Sequence, residues 1–164
     1  MDRASSHDYM TASKKLGRVD PRISVDVIVE IGTGEMVLIY RRWQPVGWAL
    51  PGGRVDYGEP LWQAAVREVK EETSFDIELI EQFYTYSDPK RASHKHSITT
   101  VFIAKANGTP IARDDATAAK CFNIAQIPQL MFDHNEIVND YLRWKSQGVR
   151  PGPIRFSGSS SKSN

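Results

Sequence analysis

Two apolar runs, ISVDVIVEI (23–31) and MVLIYRRW (36–43), are joined by nothing more than Gly-Thr-Gly-Glu. Ile23, Val25, Val27 and Val29 recur every second residue, the period of a strand with one buried face, and the glycines mark a chain reversal. The pair therefore predicts a hairpin. Further strand-like runs follow at FDIELIEQFYTYS (75–87), SITTVFIAKA (97–106) and, shorter, KCFNI (120–124). Two stretches carry helical signals. One runs from about Pro60 to Thr73, with proline at the first turn, where its missing N–H costs nothing. The other, DHNEIVNDYLRWKSQG, opens on Asp133 and Glu136 at capping-box spacing and closes on Gly148. Few helices scattered among mostly adjacent strands, without internal repeat, predict an α/β chain with a mixed β-sheet sandwiched between helices.

Residues 1–20 are polar and aperiodic, and 148–164 are rich in Gly, Pro and Ser, so both read as flexible segments flanking a working domain at 21–147. Hydrophobic residues make up 40% of the 164, enough for one core. Lys and Arg number 21 against 20 Asp and Glu, a net charge of +1, which argues against an electrostatic grip on nucleic acid or a membrane surface. Arg150 and Arg155 are too few to make the tail a nucleic-acid arm. The single Cys121, best read as a small buried hydrophobe, supports neither a disulfide nor a cysteine-based zinc site. With no apolar run approaching the ~18 residues of a membrane span and no signal-peptide stretch, a cytoplasmic location is the expectation.

The first helical stretch is unusual in its charges. On a wheel of about 100° per residue, Trp62, Ala65, Val66, Val69 and Thr73 share one face, predicted to be the core stripe. Glu68, Glu71 and Glu72 fall in the neighbouring sector, with Gln63, Arg67 and Lys70 on the far side. Acidic neighbours at i+3 and i+4 repel, and a helix C-terminal half disfavours negative charge. A solvated acidic face relieved by an Arg67–Glu71 pair would explain this, and so would a divalent cation. The preceding segment favours the cation. PGGRVDYGE offers two adjacent glycines whose backbone can approach an ion or a phosphate closely, and Arg41, Arg42 and Arg54 are near in sequence to meet phosphate charge. Hard carboxylate oxygens suit Mg²⁺, with Mn²⁺ as the alternative.

Gly53, five residues, Glu59, seven residues, then REVKEETSF resembles the Nudix hydrolase box, G-x5-E-x7-R-E-U-x-E-E-x-G-U with U a bulky apolar residue. Gly53, Glu59, Arg67, Glu68, Val69, Glu71, Glu72 and Phe75 fall in register, and Ser74 stands where the pattern has Gly. The likeness extends from RRWQPVGWALPGG through SDPKR to FDHNEIV. It implies the Nudix fold, an α/β/α sandwich, and hydrolysis of a nucleoside diphosphate linked to another moiety. Glu68, Glu71 and Glu72 would then be metal ligands together with the Gly53 carbonyl, Arg67 would orient the glutamates, and Glu59 would support the loop and helix. Ser74 would adopt the left-handed conformation that ends the helix, at a cost of roughly 1 kcal/mol. Many relatives carry a glutamate just before the strand containing AKCF, where this chain has Ala118, so Asp114 or Asp115 is left to supply a base.

Pro89, fifteen residues beyond Ser74, resembles the downstream proline of the ADP-ribose pyrophosphatases in this family. It points to ADP-ribose as substrate, cleaved to AMP and ribose 5-phosphate. Nucleotide sugars, dinucleoside polyphosphates, oxidised nucleoside triphosphates and a non-catalytic nucleotide sensor are the alternatives, and a homodimer is left open. Trp43 and Trp48 are candidates for stacking on a base as well as for core positions. His94 and His96 are read as solvent-facing at a strand entrance.

Overall fold

The computed structural model describes residues 20–91 and 96–152. The first hairpin is formed as expected: β1 (Arg22–Ile31) reverses at Gly32–Gly34 into β2 (Glu35–Arg41). Two very short strands follow, β3 (Trp48–Ala49) and β4 (Gly52–Arg54), then the helix α1 (Leu61–Thr73). Next come β5 (Glu78–Tyr86), a 3₁₀ turn at Pro89–Arg91, β6 (Ser97–Ala106) and β7 (Ala116–Asn123). After a second 3₁₀ turn, Ile124–Gln126, comes the helix α2 (His134–Gln147), with Gly148 at φ 70° as its left-handed cap. No helix among the described residues is long and apolar enough to cross a membrane.

The strands form one mixed sheet in the order β3-β2-β1-β6-β5, with β4 added beside β1 and β7 beside β2. β1 runs parallel to β6 along its whole length and antiparallel to β2 and β4 on its other edge. Alternation along β1 divides the core into two layers. Val25, Val27 and Val29 pack with Ala64, Ala65, Val69 and Phe102 under α1, whereas Ile28 packs with Leu38, Val101, Ile103, Ile137 and Tyr141 under α2. The layers are those of the expected α/β/α sandwich, with α1 on one face of the mixed sheet and α2 on the other.

Two local expectations needed correction. The buried stripe of α1 is Ala64, Ala65, Val69, Glu72 and Thr73, while Trp62 is 54% exposed and Val66 is only partly buried. Packing on β1 and β4 selects the small alanines for close approach, and the wide indole is left outside. Glu72 thereby goes into the interior. The capping box at α2 is not made, because the Asp133 carboxylate forms no cap bond and instead receives both the Nε and Nη2 of Arg91, at 2.7 and 2.9 Å. A bidentate, charge-assisted pair outcompetes a backbone cap. The Arg67–Glu71 pair expected from the i+4 spacing is made, at 3.2 Å, and the same guanidinium also reaches Glu68. The left-handed Ser74 is as expected, at φ 63°.

Candidate active site

α1 and the strand β4 meet at one end of the sheet, and the chemistry is concentrated there. The Gly52 N–H donates to Glu72 Oε2 at 2.9 Å. The Glu68 carboxylate rests directly on Gly53, in the space a Cβ would fill, so a side chain at that position would push the carboxylate aside. Gly52 is the more firmly constrained, at φ 153° with the Val25 carbonyl and the Asp26 backbone where a side chain would go. Arg67 is the hub: Nε and Nη2 grip Glu59 at 2.9 Å each, Nη1 reaches Glu68 at 2.9 Å and Glu71 at 3.2 Å, and Nη2 also donates to the Arg54 carbonyl at 3.0 Å. Glu59 completes the loop by accepting the Asp56 N–H at 3.1 Å. One guanidinium thus joins the loop after β4 to the acidic row of α1.

The electrostatics follow from burial. Glu72 is 4% exposed. Burial pushes its carboxyl up to about 8, and Glu68 and Asp26 add repulsion against the opposing help of the Gly52 N–H and Arg41. Glu68 is also raised, by burial first and then by Glu71 and Glu59, although Arg67 works the other way. Glu59 is lowered, chiefly by its hydrogen bonds from Arg67. Reciprocally, the carboxylates raise Arg67, with Glu59 foremost, which keeps the guanidinium charged. Two carboxyls held where their charge is costly suit a cation that would restore it.

An open cavity of about 1240 Å³ lies against this end. Glu68, Glu72, Gly52, Gly53, Arg54 and Arg41 line it. Two buried residues that sequence reasoning passed over, Asp26 and His134, also belong to its wall. His134 Nδ1 accepts the Leu50 N–H at 3.0 Å, which leaves its proton on Nε2, facing Asp26 Oδ2 at 3.5 Å. The ring fastens the segment leading into β4 to the start of α2. A signal was available in ISVDVIVEI, where an aspartate interrupts an otherwise apolar strand.

The predicted residues do not all converge. Glu71 is outside the cavity wall and 43% exposed at its side chain, touching the cluster through Arg67. Among the described residues, no three acidic, histidine or cysteine side chains already form a closed cation site. Arg42 is exposed and points elsewhere, because the neighbour of a strand residue faces the opposite side. Pro89 is exposed and is not in the wall, whereas the next two residues of its 3₁₀ turn, Lys90 and Arg91, are. Trp48 packs edge-on against Tyr40 and Phe122 beside the core, while Trp43 is 63% exposed on the cavity rim, its Nε1 donating to Asp115 Oδ1 at 2.9 Å. Asp115 lines the cavity, and the left-handed Asp114 (φ 50°) does not. Ala118 lies within β7 opposite Tyr40. Half-buried Cys121 has a thiol raised by burial and by Glu35. His96 is exposed and bonds the Ser87 carbonyl, and His94 and Arg155 lie outside the described residues.

The donor set fits a hard divalent cation: Glu68 and Glu72 flank the Gly52–Gly53 backbone, with space left for water and phosphate oxygens. Residues 20–144 match the model of the NUDIX domain. An ADP-ribose pyrophosphatase of Methanocaldococcus jannaschii is 40% identical over 129 residues, spanning 77% of this chain and 76% of that protein. A MutT/nudix family protein from Enterococcus faecalis superposes with a TM-score of 0.69 at 26% identity, over 87% of this chain and 70% of that one. A bifunctional NMN adenylyltransferase/ADP ribose pyrophosphatase from Francisella tularensis, complexed with AMP and a manganese ion, gives a TM-score of 0.68 at 23% identity, over 84% and 46%.

Proposed function

This chain belongs to the Nudix family and is a pyrophosphohydrolase, and on that premise we propose that it uses Mg²⁺, or Mn²⁺ in its place, to split ADP-ribose into AMP and ribose 5-phosphate. The observation that carries the reading is the seating of Glu68 and Glu72 against Gly53 and Gly52 on the wall of a cavity that also presents Arg41 and Arg54. The 40% identity to an ADP-ribose pyrophosphatase over three quarters of both chains supports the choice of substrate. A manganese ion in a fold relative supports the choice of metal.

Glu68, Glu72 and the Gly53 backbone would hold the cation, with Glu71 joining through the shell that Arg67 organises. When bound, the ion neutralises the diphosphate and lowers the pKa of water. The chain's own part is positional. Arg41 and Arg54 meet phosphate charge, Arg67 and Glu59 fix the geometry of the acidic row, and His134 and Asp26 hold the glycine segment in register. Asp115, on the cavity wall, is the better placed of the two loop aspartates to take a proton from water.

A panel of substrates at equal concentration with Mg²⁺ tests the proposal. kcat/KM for ADP-ribose should exceed those for ADP-glucose, diadenosine polyphosphates and 8-oxo-dGTP by about tenfold, or roughly 1.4 kcal/mol of differential transition-state binding. A triphosphate or a dinucleoside polyphosphate as the better substrate refutes the ADP-ribose assignment and leaves family membership untouched. Tight binding of ADP-ribose without turnover would instead favour a sensor.

A further inference from the structure

On the sheet face turned to α2, the β1–β6 pair changes character along its length. Ile28, Val101 and Ile103 are buried in the core, but toward the start of both strands the same face carries Asp26, Ser24, Thr99 and Ser97, and all four line the cavity. The three hydroxyls form a row. Ser24 and Thr99 are 2.7 Å apart, Ser24 and Ser97 are 3.2 Å apart, and Ser97 Oγ points its donor toward the Arg22 carbonyl at 3.5 Å. At the other end of the row, the Arg91 guanidinium donates to Thr99 Oγ1.

The direction of this row can be worked out. A guanidinium only donates, so Thr99 must accept from Arg91, and each hydroxyl has a single proton to give. Ser97 gives its proton to the Arg22 carbonyl, so it accepts from Ser24, and Ser24, its own proton so used, accepts from Thr99. The protons are spent within the row, and lone pairs are what it offers to the cavity. Arg91 adds no acceptor to the row, and its charge is already met by Asp133 in a bidentate pair. A wall of acceptors recruits a group that donates. Sugar hydroxyls do so, whereas an ionised phosphate has only acceptors.

Thr99, at the far side of the row, is also set apart from the glycine strand β4 by the sheet itself. Arg54, Ser24 and Thr99 are register neighbours across β4, β1 and β6, so β4 and β6 stand two strand spacings apart, about 10 Å. A phosphate held at Gly53 does not fill the other end. We propose that Ser24, Ser97 and Thr99 form the subsite for a hydroxyl-bearing sugar beyond the diphosphate, so that the cavity selects a nucleoside diphosphate joined to a sugar over one extended by further phosphate. This deepens the reading given under Proposed function and rests on it for the position of the diphosphate.

The test compares two substrates within each purified full-length variant: ADP-ribose, and the P-methyl ester of ADP, which keeps the phosphoanhydride and lacks the distal sugar. In Ser24→Ala and in Thr99→Val, the ratio of kcat/KM for ADP-ribose to that for the ester should fall about fivefold or more, the loss expected for one hydrogen bond. Thr99→Ser, which keeps the hydroxyl, should restore the wild-type ratio. Turnover of the ester reports that each variant is folded. An unchanged ratio in both variants overturns the proposal, and so does equal loss on both substrates. If the wild type cleaves ADP-glucose and ignores ADP-ribose, the ratio is taken with ADP-glucose; a fall then upholds the subsite while the ADP-ribose reading fails. A nucleoside triphosphate that is preferred by the wild type and weakened by Ser24→Ala would overturn it too, pointing to a phosphate beside the rim residue Lys90.

Discussion

Arg67→Lys keeps the positive charge and removes the geometry, so it isolates what the guanidinium hub contributes. Five hydrogen bonds converge on Arg67, two to Glu59 and one each to Glu68, Glu71 and the Arg54 carbonyl. An ammonium on a flexible stem can satisfy one carboxylate well but cannot reach from Glu59 to Glu68 at the same time. The Arg67 side chain is 28% exposed and Glu71 43%, so water takes over part of what is lost and the Glu71 contact counts for little. Losing two or three bonds at about 0.5–1 kcal/mol each gives a destabilisation of about 2 kcal/mol. For a chain of this size that lowers Tm by about 4–8 °C. Because Glu68 and Glu71 also lose their orienting partner, kcat should fall at least about tenfold, more than KM changes. Thermal unfolding and steady-state kinetics read the two effects. A Tm within about 1 °C of wild type together with unchanged kcat would refute the hub.

Glu72→Gln keeps shape and removes a charge from the proposed cation site, so kcat should drop by about two orders of magnitude or more with the far-ultraviolet circular dichroism unchanged; activity within a few-fold of wild type would sink the metal assignment. Ser74→Gly relieves a left-handed serine worth roughly 1 kcal/mol but gives up an exposed bond from Ser74 Oγ to the Ile111 carbonyl at 3.2 Å, for a net gain of about 0.5 kcal/mol seen as a higher urea midpoint; a lowered midpoint would contradict it. Burial works to raise Glu30, but Tyr141 and Lys145 donate to it and hold it below its usual 4.5. Its contribution is then present above pH 4.5 and lost as pH falls through the lower folded value, so Glu30→Gln should flatten the acid limb of the stability curve; an identical acid limb in the variant would count against this linkage.

How much could be read in advance depended on the residues involved. β6 was bounded correctly at 97–106 because six consecutive β-branched or aromatic residues, Ile98–Ile103, sit shortly before an Asn-Gly turn. β3 and β4 were hidden in WALPGG, since strands of two and three residues have no period to detect. The acidic row was visible as a spacing, but which glutamate would be buried was not. That depends on how closely Ala64 and Ala65 let α1 approach the sheet, a tertiary fact. Arg42 was drawn in by proximity along the chain, which ignores the strand alternation that turns it away, and Pro89 by its resemblance to a family position. Asp133 looked like a cap because its competitor, Arg91, is 42 residues distant. The hydroxyl row was equally out of reach, because Ser24 and Thr99 become neighbours only through the parallel pairing of β1 with β6.

That pairing bears on how a lineage built on this chain can diversify. At Ser24–Asp26, one edge of β1 is bonded to β4, which carries the glycines beneath the glutamates, and the opposite edge is bonded to β6. Backbone ladders are indifferent to side-chain identity, so substitutions at 97 and 99 leave every bond on the β4 edge in place. Descendants could retune what is gripped at one edge by single codon changes, while the apparatus that handles phosphate charge at the other edge is inherited intact.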